Sequence, residues 1–247
     1  MALIRKKTVI KFIPCVDKHE IVVRISNIIF NQIRKKNNSV ICFGASLALS
    51  DLYDQIAVDF KNNNVSFKNV VIINSDEYVD LEHRYMKYSK VESMKNLLFK
   101  RTDINLDNTF FPTKDNYKIF DKIIRKFGGI DLLILLPGSN GYIAFNEPNT
   151  KLNTKTHITK LENNTRLSLA GIFDEKINVP YYAVTIGIKT ILESKKIILM
   201  ASGNSLSVPV SKLFENQYSP IWPITSLIYA KDVTAFVELE ATKLMTD

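Results

Sequence analysis

The sequence predicts a doubly wound α/β fold: a mainly parallel sheet with helices on both faces, Rossmann-like, formed by residues 1–247 as one domain. Three observations predict it. Short β-rich apolar runs alternate with segments of helical period, the pattern of parallel strands joined by right-handed crossovers. The runs are nearly continuous rather than alternating, as in strands covered on both faces. No internal repeat, low-complexity linker or Pro/Gly-rich boundary divides the 247 residues, a length within reach of one α/β layer structure.

The elements follow in order. Val9–Ile13 is the first expected strand. A helix comes next, with Asp17 placed to cap it and Val22, Ile25, Ile29 and Ile33 on one face. Val40–Phe43 is the second strand. Beyond Gly44, the positions Leu49, Leu52, Tyr53, Ile56 and Phe60 mark a second helix face. Val70–Ile73 is the third strand. Phe120, Ile123, Ile124 and Phe127 mark another helix, which Gly128-Gly129 should stop. Ile130–Leu136, Tyr182–Ile186 and Ile197–Met200 complete the expected sheet. Ligands of open α/β sheets lie beyond the carboxyl ends of the strands. The loops there are 44–46, 75–78, 137–148, 187–190 and 202–205. All five are expected to converge on one small-molecule cavity.

Composition excludes several classes of function. The formal net charge of +8 suits an anionic ligand. Its basic groups, Arg5-Lys6-Lys7, Arg34-Lys35-Lys36 and Lys195-Lys196, are scattered and read as solvated surface. With no zinc-finger spacing and no arginine-rich helix, no nucleic-acid partner is expected. No apolar run approaches the ~20 residues that span a bilayer, so no membrane partner is expected either. The amino terminus lacks an apolar stretch of signal-peptide length, and the cytoplasm is the expected compartment. Cys15 and Cys42 sit in or beside apolar runs and read as buried thiols. His19, His83 and His157 share no metal-ligand spacing, and no metal is expected.

The stretch "SNGYIAFNEP" at 139–148 is the least ordinary in the chain. It follows the apolar run "IDLLILLPG" and carries Asn140, Tyr142, Asn146 and Glu147 in one loop. Glu147 alone would be a surface carboxylate; in this company it can orient a neighbouring acid or base. Asp76, just after "NVVIIN", reads either as a cap of the next turn or as a general base for a proton on carbon beside a carbonyl. Arg166 in "NNTR" is either a solvated helix residue or a phosphate ligand, for which its forked guanidinium is well shaped. His157 reads as a structural hydrogen-bonding group. In "CFGASLALSDLY" a strand, a loop and a helix start follow one another, and N–H groups at such a start favour anions. With one glycine, that phosphate signal is weak.

Taken together, these loops resemble the glucosamine-6-phosphate deaminase (isomerase) family, related to the 6-phosphogluconolactonases. The pieces that carry the resemblance are "INSDEYVDL", "GGIDLLILLPGSNGYIAFNEP", "TKTHITKL", "NNTR", "VPYYAVTIGIKTIL" and "KKIILMASGN". The "AFNEP" block separates the chain from the lactonases. The resemblance implies a reaction in which glucosamine 6-phosphate and water give fructose 6-phosphate and ammonia, with no metal or organic cofactor. The sugar ring opens, a carboxylate moves the C2 proton to C1, and the resulting imine is hydrolysed. By the same resemblance Asp76 is the proton shuttle and Glu147 supports the ring-opening group. Asn140 stands where members carry Asp or Asn. Arg166, Gly44, Ala45, Ser46 and Gly138 fall on substrate- and phosphate-binding positions. A small sugar phosphate is the implied partner, and self-association is left open.

The chain departs from the family pattern at four places. Tyr142 stands where members have a histidine. Leu206 stands where they have a phosphate-binding lysine. The Gly-, Ser- and Thr-rich phosphate loop is here Ala45, Ser46, Leu47, Ala48 and Leu49, and the turn before Tyr142 is Pro137-Gly138-Ser139. A tyrosine near pKa 10 is a poor base beside a neutral imidazole, and an aliphatic side chain cannot replace a charge-assisted hydrogen bond. Three readings follow: a divergent deaminase, an impaired sugar-phosphate binder or sensor on the same fold, and an enzyme for a different or unphosphorylated sugar.

Overall fold

The computed structural model describes residues 8–44, 47–62, 64–81, 83–173 and 179–245. Its strands are β1 (Lys11–Cys15), β2 (Val40–Phe43), β3 (Val71–Asn74), β4 (Asp76–Tyr78), β5 (Thr109–Phe110), β6 (Leu132–Leu135), β7 (His157–Lys160), β8 (Tyr182–Thr185), β9 (Ile197–Ala201) and β10 (Val233–Glu238). Its α-helices are α1 (Lys18–Lys35), α2 (Ser50–Asn62), α3 (Lys90–Leu97), α4 (Tyr117–Lys126), α5 (Asn163–Leu169), α6 (Ile188–Leu192) and α7 (Ser207–Phe214). Among the described residues, seven strands form one sheet in the order β1-β10-β9-β6-β2-β3-β5. Every neighbouring pair in it is parallel.

The continuous apolar runs are explained by burial on both faces. Along β2, Val40 and Cys42 face one cluster, with α4, α6 and α7, while Ile41 and Phe43 face the other, with α1 and α2. Strands β3, β6 and β9 divide their side chains the same way. Period two is therefore present, but both phases are hydrophobic. Helix α1 buries Ile21, Val22, Ile25, Ile29, Phe30 and Ile33, each contributing about 1.5–3 kcal/mol of transfer free energy. Asp17 caps it as expected, accepting the Glu20 N–H at 2.8 Å. Helix α4 stops where expected, with Gly128 and Gly129 at φ of +85° and +81°.

The structure corrects the expected sheet in four respects. The segment expected as a strand at Tyr182–Ile186 does not join the parallel sheet. As β8 it is the middle of a separate antiparallel sheet, order β4-β8-β7. The first strand begins two residues later than expected: Val9 is exposed, and Pro14 lies within β1. An edge strand tolerates a proline, because one side of it makes no ladder bonds. Strand β10, absent from the expected elements, lies between β1 and β9. Strand β7 alternates half-buried and exposed residues and carries no apolar run.

Candidate active site

The order of strands reverses between β2 and β6. From β2 the chain proceeds to β3 and β5 on one side; from β6 it proceeds to β9 and β10 on the other. A crevice opens at such a switch point beyond the strand ends. A cavity of about 130 Å³ lies there, with Gly44, Ser75, Asp76, Lys90, Pro137 and Tyr142 in its wall. Gly44 and the loops 75–78 and 137–148 thus reach it as expected; Ala45 and Ser46 lie outside the described residues. Loops 187–190 and 202–205 do not line it. Gly187 is pressed against backbone, since a Cβ there would fall 2.1 Å from Thr154 O and 2.2 Å from Lys155 O. Ser202 Oγ and Gly203 N donate to Glu238 Oε2 at 2.5 and 2.8 Å, tying that loop to the end of β10.

Asp76 stands at the seam between the two sheets. Ser75 N donates to Phe43 O of β2, while Ile186 N, beyond β8, donates to Ser75 O. Asp76 then pairs with Thr185, and Asn74 Nδ2 donates to the Asp76 carbonyl at 2.5 Å. The carboxylate is buried. Ser75 Oγ donates to Oδ2, and Lys90 Nζ lies 3.8 Å from Oδ1. Burial pushes its pKa above the ordinary carboxylate range, opposed by Lys90 and Ser75. A dry carboxylate with a raised pKa is matched to taking and returning a proton near neutral pH.

The 137–148 loop is built around a turn. Gly141 N donates to Gly138 O and Gly138 N to Tyr142 O, both at 2.9 Å. The Tyr142 ring lies flat on Gly138, where any Cβ would fall 2.1 Å from Cε1. Half-buried Tyr142 faces the cavity. Its hydroxyl pKa is pushed up to about 12 by burial, and further by Glu147 and Asp76 against the pull of Lys90. Asn140 Oδ1 accepts the Tyr142 N–H at 3.2 Å, and Asn140 Nδ2 donates to Glu147 Oε2 at 3.1 Å. Buried Glu147 also accepts from Thr165 Oγ1 and the Glu162 N–H, both at 3.1 Å. Burial raises its pKa against these three donors. Glu147 is not in the cavity wall; it supports the Tyr142 backbone through Asn140. Asn146 Nδ2 donates to Ile143 O and Ile186 O, clamping the loop to the end of β8.

The expected phosphate ligands are more dispersed. Gly44 lines the cavity, and its carbonyl accepts Tyr53 Oη at 2.8 Å. Ala45 and Ser46 lie outside the described residues. Arg166, on α5, is buried and outside the cavity wall. Its Nε and Nη2 donate to Val179 O at 3.2 and 2.8 Å, and its guanidinium stacks 3.8 Å over the Tyr181 ring. Leu206 packs half-buried against the core. His157 sits in β7 and donates from Nδ1 to Lys155 O at 2.9 Å, with burial holding its pKa low.

Lys90 is the residue that sequence reasoning missed. It is the first residue of α3, buried, and in the cavity wall. A signal was present: "SKVE" at 89–92 has the spacing of a capping box, which puts a lysine on the first turn of a helix. That end of a helix disfavours a cation. Ser89 does cap α3, accepting the Glu92 N–H at 3.1 Å.

The chain is 33% identical over 240 residues to the glucosamine-6-phosphate deaminase of Mycoplasma mycoides subsp. mycoides SC, covering 96% of this chain and 98% of that one. It is 34% identical over 238 residues to that of Bacillus pumilus, covering 92% and 97%. The chain belongs to the glucosamine-6-phosphate deaminase family. A solved structure of a monomeric glucosamine-6-phosphate deaminase, described as the missing link of the NagB superfamily, superposes with a TM-score of 0.92 at 30% identity, covering 95% of this chain and 100% of that one. The 6-phosphogluconolactonase of Thermotoga maritima shares the fold alone, with a TM-score of 0.70 at 16% identity over 93% of this chain and 100% of that one. No family model matches the chain. For a deaminase of this family, the cavity between β2 and β6 is the place where sheet topology and buried acid coincide. Among the described residues, no helix is long and apolar enough to cross a membrane.

Proposed function

We propose that the protein converts glucosamine 6-phosphate and water into fructose 6-phosphate and ammonia. The observation that carries this reading is the buried Asp76 carboxylate, beside Tyr142, in the wall of the switch-point cavity. Tyr142 Oη gives its proton to the ring oxygen as the C1–O5 bond breaks and takes one back from the C1 hydroxyl, which becomes the aldehyde. Asp76 then takes the proton from C2 and returns it to C1, while a proton passes from the C2 nitrogen to O1, leaving an imine at C2 and a hydroxyl on C1. Water adds to that carbon and ammonia leaves. Asn140 and Glu147 act by holding the Tyr142 backbone. The cavity of about 130 Å³ accommodates the reacting carbons, and the phosphate extends past Gly44. For Arg166 to hold that phosphate, its guanidinium exchanges the Val179 carbonyl for a phosphate oxygen. A phosphorylated metabolite and two free cysteines fit a cytoplasmic setting.

A second reading is a sugar-phosphate binder with little turnover. It is favoured by Leu206, packed on the core where the resemblance implies a lysine, and by a Tyr142 hydroxyl too weakly acidic to trade protons easily near neutral pH. Ammonia release from glucosamine 6-phosphate separates the two. Release that is abolished by Asp76→Asn supports the enzyme. Calorimetric binding of the sugar phosphate with no ammonia released supports the binder and rejects our proposal.

A further inference from the structure

The sequence motifs and the proposed steps leave the buried charge of Lys90 without a task. Lys90 Nζ lies 3.8 Å from Asp76 Oδ1, with both side chains 8% exposed. It also lies 5.0 Å from the ring centroid of Tyr78 and 5.6 Å from that of Phe145. A buried ammonium is costly unless paired, and the first turn of a helix is the wrong end for a cation. The structure nevertheless holds this lysine in place deliberately. The buried Glu77 carboxylate accepts the N–H groups of Lys90 and Val91 at 3.0 and 3.1 Å, and that of Tyr78 at 2.8 Å. Glu77 thereby fastens the start of α3 to β4, one residue along from Asp76.

We propose that Lys90 is a positioning residue for the proton shuttle: its ammonium, seated against the Tyr78 and Phe145 rings, keeps the Asp76 carboxylate charged and turned into the cavity. This rests on the reading that Asp76 moves the proton. The groups that face Asp76 leave this role to Lys90. Ser75 contributes a neutral hydroxyl, β2 contributes Cys42, α2 contributes Tyr53, β4 contributes Tyr78 and Glu77, and the 137–148 loop contributes Tyr142. Burial and the charge of Asp76 push Cys42 and Tyr53 well above their ordinary values, so both stay neutral. Glu77 is acidic, and Tyr78 and Tyr142 are raised by burial. Among these groups Lys90 is the cation. Its own pKa is raised: burial works against it, but Tyr78, Asp76, Glu77 and Tyr142 together outweigh burial. It stays charged throughout the range in which a carboxylate titrates.

The test follows the Asp76 carboxyl directly, by carbon-13 NMR of the full chain labelled at aspartate carboxyls, with Asp76→Asn assigning the resonance. Lys90→Met keeps the aliphatic stem and removes the charge. It should raise the Asp76 titration by about one to three units, the usual effect of a cation within 4–6 Å. Lys90→Arg, which keeps the charge, should move it far less. In ammonia-release assays the acid limb of kcat/KM should rise with the carboxyl in Lys90→Met, so the loss is deepest at low pH and recovers as pH rises. A purely structural lysine would lower activity evenly across pH. An Asp76 resonance that titrates in Lys90→Met as it does in the unmodified protein overturns the proposal. If Lys90→Met does not fold, the isosteric Asp76→Asn gives the reciprocal reading: it should lower the Lys90 titration, followed at its ε-carbon, and an unchanged value overturns the proposal equally. If the unmodified protein releases no ammonia, the proposed function fails, while the carboxyl titration still decides whether Lys90 holds Asp76 charged.

Discussion

Replacing Tyr142 by histidine should raise turnover, and the size of the gain follows from the site. With its hydroxyl at about 12, Tyr142 is anionic in about one molecule in 10⁵ at pH 7, five units below that value. As a base it is almost absent. As an acid it is fully present but gives up its proton reluctantly. An imidazole near pKa 6.5 offers both forms at pH 7. A well-matched acid–base group contributes about 10²- to 10⁴-fold. The tyrosine keeps the donor half of that role, and a shorter imidazole reaches less far into the cavity. The expected gain in kcat/KM for Tyr142→His is therefore about 10- to 100-fold. The ring now lies on Gly138 and 6.1 Å from Phe145, so the exchange should cost about 1–2 kcal/mol of stability through lost packing. The assay is continuous ammonia release from glucosamine 6-phosphate across pH, with thermal melts alongside. The histidine variant should show a new acid limb near 6.5. A folded variant with unchanged or lower kcat/KM and an unaltered pH profile would refute the reasoning, because proton transfer at position 142 would then not limit the rate.

Other outcomes follow from the same structure. Asp76→Asn removes the shuttle without changing shape, and kcat should fall by about 10³-fold with the circular dichroism spectrum intact. Gly138→Ala puts a methyl into the space of the Tyr142 ring; it should displace that ring, reduce kcat/KM at least about tenfold and cost about 1–3 kcal/mol on denaturant unfolding. Buried Asp131 accepts from Lys36 Nζ at 2.5 Å, Lys195 Nζ at 2.7 Å and Val40 N at 2.8 Å. Burial works to raise its pKa, but these three donors outweigh it and hold the pKa below the ordinary carboxylate range. Its stabilisation is therefore present above an unfolded value of about 3.9 and lost as pH falls through the lower folded value. Asp131→Asn should cost about 2 kcal/mol near neutrality, discounted because both lysines are partly exposed. The gap between the two melting curves should close in acid.

Features set by a few neighbouring residues were legible in the sequence. The Asp17 cap, the Gly128-Gly129 stop and strand β2 need only local chemistry. The company of Asn140, Tyr142 and Glu147 was also visible, because one short loop carries all three. The second sheet was not, because β4 is three residues long and its partner β8 lies about a hundred residues away. An apolar run such as Tyr182–Ile186 fits either sheet, and the pairing decides. Strand β10 ends at Glu238 and runs on into "LEAT", a helix-like pattern, so its period is ambiguous. Thr165 and the Glu162 N–H, which hold Glu147, come from a different element and carry no mark of that role. Lys90 was marked only by the capping-box spacing that sets it on a first helical turn. Lysine at a helix start reads as solvent-facing, and only tertiary folding turns it onto Asp76.

Ser75 is bonded at its N–H to the large sheet and at its carbonyl to the strand end of the small one. The residue after it therefore cannot be re-aimed by either layer alone. On the proposed mechanism, a carboxylate that serves two adjacent carbons in turn is held in place by this joint between the two transfers. Loosening this joint should blur where the proton is delivered before it slows how fast the proton is taken, so solvent deuterium incorporated at C1 and C2 would register such damage earlier than ammonia yield does.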